Sequence, residues 1–308
     1  MTSSGRRQCV VLDGGMGREL MRIGAPFRQP EWSALALTEG PDRVVQAHSN
    51  FIDAGAEVIT TNSYALVPFH IGEKRFRSEA AALAATAGRL AREAASASGI
   101  ERAVRVAGSL PPLFGSYRPD LFDAIDAPRI IDPLVEGLAP FVDLWLGETL
   151  GSIAEAAAVR AALDRSSHPP KPLWISYTLD DQPNGTLRSG ESVADAVSAA
   201  VELGAEAVLF NCSQAESITE AISTARRIGD DRVLIGGYAN RFVSAHSSTG
   251  EANEQLSTFR DDLDPGEYAA VVARWLTEGA TIVGGCCGMT PSHIARVAAV
   301  CAVHQGGG

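Results

Sequence analysis

The stretch "SVADAVSAAVELGAEAVLFNCS" (192–213) decides the fold. Its first half spaces apolar residues as an amphipathic helix does and ends at Gly204, a natural C-terminal cap. Its second half, from Glu206 to Ser213, is a short, near-continuous apolar run that stops at Asn211 and Cys212. Strands buried on both faces read this way, and they belong to parallel sheets covered by helices.

The same rhythm runs along the chain in both directions. Seven further runs occur: "CVVLDGG" (9–15), "AEVITTNSY" (56–64), "AVRVAGSL" (103–110), "FVDLWLGET" (141–149), "LWISYTL" (173–179), "RVLIGGYAN" (232–240) and "ATIVGGCCG" (280–288). Helical patterns lie between them, among them 41–55, 78–99 and 265–279. Eight strand–helix units in 308 residues predict a (β/α)8 TIM barrel. The rival, an open doubly wound sheet, lacks its dinucleotide fingerprint, since "DGGMG" does not have the G-x-G-x-x-G spacing. Residues 1–308 are read as one barrel domain with long βα loops at 111–130, 180–192 and 241–264, the kind that carry function. The "GGG" tail reads as disordered.

Net charge is −11, which argues against nucleic acid and anionic membranes as partners. No apolar run reaches the roughly 18 residues of a membrane span. Asp13 interrupts the N-terminal apolar stretch too early for a signal peptide, so a cytoplasmic protein is expected. The five cysteines, Cys9, Cys212, Cys286, Cys287 and Cys301, have no small-scaffold spacing, so metal or catalytic use is expected rather than a disulfide framework.

A barrel carries its chemistry at the C-terminal ends of its strands. Asp13, then Thr60, Thr61 and Asn62, then Glu148, then Asn211 and Cys212, and last Cys286 and Cys287 all fall there. Three cysteines on one rim suit Zn²⁺, with a fourth position left open for water or substrate. Cys9, at the start of the first run, belongs at the opposite end of the barrel, and Cys301 reads as helix core. Adjacent cysteines can also be small buried residues or a strained vicinal disulfide. A carboxylate at a strand end can simply shape the next turn. The six histidines (His48, His70, His168, His246, His293, His304) are scattered and indicate no Cys–His dyad.

Together, "VLDGGMGREL", "LGETLGSIAEA", "FNCS" and "GGCCG" resemble the homocysteine S-methyltransferase family, over about residues 10 to 300. The resemblance implies zinc held by Cys212, Cys286 and Cys287, with the homocysteine thiol in the open position. It also implies that Asp13, Gly14, Thr60 and Glu148 hold the amino and carboxylate groups of homocysteine or form the neighbouring rim, with Asp13 and Glu148 the groups that serve catalysis. The small-molecule partners are then homocysteine and a methyl donor: S-methylmethionine, S-adenosylmethionine, another sulfonium compound or betaine. A folate route needs a corrinoid carrier and further domains, for which the chain has no room.

An onium donor suits an aromatic cage. Trp32, Tyr64, Tyr177 and Tyr238 are its candidates. The segment "YANRF" (238–242) departs from the "YPNSG"-like pattern of S-methylmethionine-type relatives, and Arg241 is expected to contact a donor carboxylate. Three alternatives stay open: a zinc- or thiol-binding barrel without turnover, a metal-free cysteine enzyme, and a methyltransferase for another thiol or selenol. The sequence fixes no oligomeric state, and a homo-oligomer is one open assembly.

Overall fold

The computed structural model describes residues 8–99, 103–182, 184–243 and 259–306. Its eight parallel strands are β1 (Val10–Val11), β2 (Val58–Thr60), β3 (Arg105–Leu110), β4 (Leu144–Leu150), β5 (Leu173–Tyr177), β6 (Ala207–Asn211), β7 (Leu234–Tyr238) and β8 (Ile282–Val283). They run β1-β8-β7-β6-β5-β4-β3-β2 around the sheet. A single Leu12–Val58 bridge then joins β1 to β2, with Glu57 N donating to Val11 O at 2.7 Å and Asp13 N to Val58 O at 3.1 Å. The ends of the sheet meet, as in a barrel and not in an open sheet.

Side chains alternate between the inside and outside of the barrel. Leu144 and Leu146 point inward with Trp174, Ala207, Leu209 and Ile282, while Trp145, Ile175, Val208 and Phe210 face the helices. The next inward layer changes character: Ser109, Glu148, Ser176, Asn211 and Tyr238 follow the apolar layer at period two. Polar groups taken from water are costly unless bonded, and these are. Asn211 Oδ1 accepts from Ser176 Oγ at 2.7 Å and from Thr149 N at 3.1 Å, and its Nδ2 donates to Thr149 Oγ1 at 2.8 Å. A bonded polar floor above an apolar plug is the base of the site.

The helices close the outside. In Val193–Glu202, Ser192 Oγ accepts from Asp195 N at 3.0 Å and donates to Asp195 Oδ2 at 2.6 Å, and Gly204 follows at φ +73°. That is a reciprocal start and a left-handed stop. The predicted helices 41–55, 78–99 and 265–279 correspond to Pro41–Asp53, Glu73–Ala97 and Pro265–Thr277. The loop expected at 111–130 is shorter, because a helix, Ala127–Leu138, begins inside it. Part of the loop at 241–264, including His246, lies outside the described residues, as do residues 307 and 308 of the tail. Among the described residues no helix is long and apolar enough to cross a membrane.

Cys9 and Cys301 are buried and joined by a disulfide, with Cα atoms 5.8 Å apart. The expectation of metal or catalytic use rather than a disulfide framework is corrected at these two cysteines, which the structure pairs in a single disulfide. The start of β1 lies against the last helix, Pro291–Gly306, and brings the two together.

Candidate active site

One cavity opens at the C-terminal ends of the strands. Asp13, Gly14, Trp32, Thr60, Tyr64, Glu148, Cys212, Tyr238, Cys286 and Cys287 all line it, although they come from the C-terminal ends of six different strands and the segments that follow them. Two expected residues are not among its lining. Tyr177 is fully buried and packs outward, because Trp174 and Ser176 take the inward positions of β5. Arg241 turns aside: its Nε donates to Arg260 O at 2.9 Å, next to the antiparallel bridge between Phe242 and Phe259. Arg241 thus stands outside the cavity lining in this structure.

Cys212 follows β6, and Cys286 and Cys287 follow β8. The three ligand sulfurs lie within 4.8 Å of one another, with Cys212 Sγ 3.7 Å from Cys287 Sγ. A tetrahedral ion about 2.3 Å from each sulfur needs sulfurs roughly 3.8 Å apart, so the cluster fits zinc. Glycine allows this crowding. A Cβ on Gly285 would fall 2.4 Å from Met289 Cβ, and Gly288 sits at φ +84°.

The thiols share their protons unequally. Hydrogen bonds from Cys286 and Cys287, with a further one from Tyr117, hold the Cys212 thiol well below the usual range. The same contacts with Cys212, together with burial, hold Cys286 and Cys287 well above it. The cluster thus already favours negative charge at Cys212. Further donors surround it: Tyr117 Oη lies 2.8 Å from Cys212 Sγ, Asn211 Nδ2 3.8 Å from Cys286 Sγ and Asn240 Nδ2 4.0 Å from Cys212 Sγ. Tyr117 is itself covered by Arg188, whose guanidinium lies 4.9 Å from the ring centroid and pairs with Asp181 at 2.6 Å. Groups that bond to metal ligands orient them and tune their affinity. Tyr117→Phe is expected to lower zinc affinity roughly 10-fold, at the weak end of such effects. Competition with a chelator checks it, and an unchanged affinity would leave Tyr117 a packing residue.

Two carboxylates share the cavity with the thiols. Asp13 Oδ2 accepts from Thr60 N at 2.7 Å and Oδ1 from Thr60 Oγ1 at 3.1 Å. Glu148 accepts from Ser109 Oγ at 2.6 Å and from Tyr238 Oη at 3.3 Å. Burial pushes Asp13 up to about 8, against the pull of the Thr60 N–H and with help from Glu148. Burial pushes Glu148 up to about 7, with the Ser109 hydrogen bond opposing it and the charge of Cys212 adding to it. Two carboxylates held in this way gain from a cationic guest.

Sequence reasoning missed Tyr117, Thr149 and Arg18, which line the cavity; Phe242 of the "YANRF" segment lines it too. One conformational signal marks the site. Among the described residues five non-glycine residues have positive φ, and four of them, Trp32, Tyr117, Thr149 and Cys212, line this cavity. Such backbone costs of order 1–3 kcal/mol per residue and gathers at functional sites.

Fold and site together define a class: a (β/α)8-barrel enzyme whose site is built around three thiols. The sequence profile of homocysteine S-methyltransferase matches residues 10–301. Homocysteine S-methyltransferase 1 of Zea mays is 30% identical, over 95% of this chain and 94% of its own length. Selenocysteine methyltransferase of Astragalus bisulcatus is 27% identical, over 93% of this chain and 90% of its own. The crystal structure of the homocysteine methyltransferase MmuM from Escherichia coli in its metallated form superposes with a TM-score of 0.78, at 26% identity, over 96% of both chains. The chain belongs to the homocysteine S-methyltransferase family.

Proposed function

We propose that the chain moves a methyl group from an onium donor to the sulfur of homocysteine, giving methionine, with zinc held by Cys212, Cys286 and Cys287. The observation that carries this reading is the convergence of three sulfurs within 4.8 Å on the wall of a cavity that also holds Asp13 and Glu148. When bound, zinc supplies deprotonation of the acceptor thiol near neutral pH, and the thiolate is the nucleophile.

The protein's own residues do the rest. Glu148 and Asp13 take the acceptor ammonium, a charge-assisted contact that fixes its orientation. Thr60 holds the Asp13 carboxylate in place through two hydrogen bonds. Gly14 leaves room beside it: a Cβ there would meet Met289 O at 2.6 Å. Trp32, Tyr64 and Tyr238, with Tyr117 and Phe242, give the donor an aromatic surroundings suited to a cation. In the transfer, the methyl carbon forms a bond to the acceptor sulfur as its bond to the donor heteroatom breaks. The electron pair stays on that heteroatom and the donor leaves with one positive charge fewer. Holding the two substrates in line is most of what the protein contributes.

A second reading, transfer to another thiol or to a selenol, draws support from the similarity to the Astragalus bisulcatus enzyme. One experiment separates the readings. Reduced, zinc-loaded protein is incubated with homocysteine or selenocysteine and with S-methylmethionine, S-adenosylmethionine, dimethylsulfoniopropionate or betaine. Methionine, with about one zinc per chain, is the expected result. Methylselenocysteine alone would favour the second reading. Bound zinc with no methylated product from any pair would leave a binding protein and sink both.

A further inference from the structure

Arg18 stands on the cavity wall in the helix Met16–Arg22, one turn beyond Asp13, Gly14 and Gly15. Its guanidinium lies 4.7 Å from the centroid of Phe259 and has no ion pair or hydrogen bond among the described residues. Neighbouring arginines are committed. Arg22 pairs with Glu19, Arg260 with Glu216 and Asp262, Arg188 with Asp181, and Arg241 Nε bonds a carbonyl. Phe259, on which Arg18 rests, is stacked on Phe242 with centroids 5.9 Å apart and planes 3° apart, and Phe242 itself lines the cavity. Arg18 is therefore a supported cation, half-buried and on the cavity wall, with no anionic partner among the described residues.

A cationic methyl donor would be repelled by such a group unless it carried an anion at its other end. The two carboxylates and the aromatic rings offer nothing to an anion, while a planar guanidinium with free donors is well suited to a carboxylate. We infer that Arg18 receives the carboxylate of a zwitterionic methyl donor, one with an onium methyl at one end and a carboxylate at the other, and so sets donor specificity. This rests on the methyl-transfer reading above. It places acceptor and donor recognition on one strand–helix unit, with Asp13 at its turn and Arg18 in the helix that follows.

The test pairs a variant with a change in the ligand. Wild type and Arg18→Met are assayed with homocysteine and with S-methylmethionine, dimethylsulfoniopropionate or betaine, each as the free acid and as its methyl ester. Binding of the same compounds is followed separately by tryptophan fluorescence. Trp32 lines the cavity, whereas Trp145, Trp174 and Trp275 are buried elsewhere. In wild type the ester should bind about 10- to 100-fold more weakly than the acid, and in Arg18→Met the two should be alike. Zinc content and homocysteine KM should not change.

A variant that keeps the wild-type preference for the acid overturns the inference. So does a rise in homocysteine KM with donor KM unchanged, which would assign Arg18 to the acceptor. Absence of methylated product from wild type with every donor would instead strike the methyl-transfer reading, and the fluorescence titration would still decide whether Arg18 recognises a carboxylate.

Discussion

Cys286→Ala is expected to lose zinc and methyl transfer together. The cluster offers three sulfurs, and two cannot hold the metal as three do. A structural zinc site is worth about 10–16 kcal/mol at neutral pH, so one lost ligand of four costs on the order of 3 kcal/mol, or at least 100-fold in affinity. Turnover should fall further, below about 0.1% of wild type, because a metal that remains is less able to activate a bound thiol. The fold should survive. Cys286 lies beyond the end of β8 and is half-buried, and its removal opens only a small void at a wet surface. Metal content, circular dichroism and product formation on one sample check this. Stoichiometric zinc with near-normal turnover would sink the assignment of the cluster.

Glu148→Gln should separate acceptor binding from metal binding. Glutamine keeps the shape and an acceptor oxygen for the Ser109 hydroxyl, now 2.6 Å from Glu148 Oε2, but it removes the charge that meets the acceptor ammonium. A hydrogen bond to a charged group is worth about 1.5–3 kcal/mol, so homocysteine KM should rise roughly 10- to 100-fold with zinc content unchanged. The pH dependence follows from the same group. Burial raises Glu148 to about 7, so the carboxylate takes up a proton as pH falls through that value. Wild-type acceptor affinity should therefore weaken as pH falls through about 7, and the variant should lose that step and keep only the one that Asp13, raised to about 8, contributes. An equal loss of zinc would make Glu148 a support of the metal site instead.

The two experiments act on the parts of the site that were easiest to read in the sequence. Apolar continuity marked the strands, and strand ends marked Asp13, Glu148, Cys212, Cys286 and Cys287. Tyr177 shows what strand parity adds: with Trp174 and Ser176 inward, the next residue must point outward, and the aromatic cage loses it. Tyr117 was out of reach, because it stands in an irregular loop whose course no periodicity fixes. The helix Ala127–Leu138 was hidden by Pro133, a residue that reads as a breaker and sits inside it. Arg18 and Arg241 were indistinguishable as charges along the chain, since only the bonding of their side chains separates the cation with no partner among the described residues from the one whose Nε bonds a carbonyl. The Cys9–Cys301 pair joins residues 292 positions apart, a proximity that depends on where the last helix docks.

The left-handed backbone at Trp32, Tyr117, Thr149 and Cys212 bears on anyone who would engineer this barrel for heat. Glycine or asparagine is the usual remedy for such conformations, and a search for stabilising substitutions would turn to these four positions early. Each carries a side chain that forms the cavity wall. The melting temperature gained there would come out of the reaction, so a thermostable version is better sought among the surface helices, with these four positions held fixed.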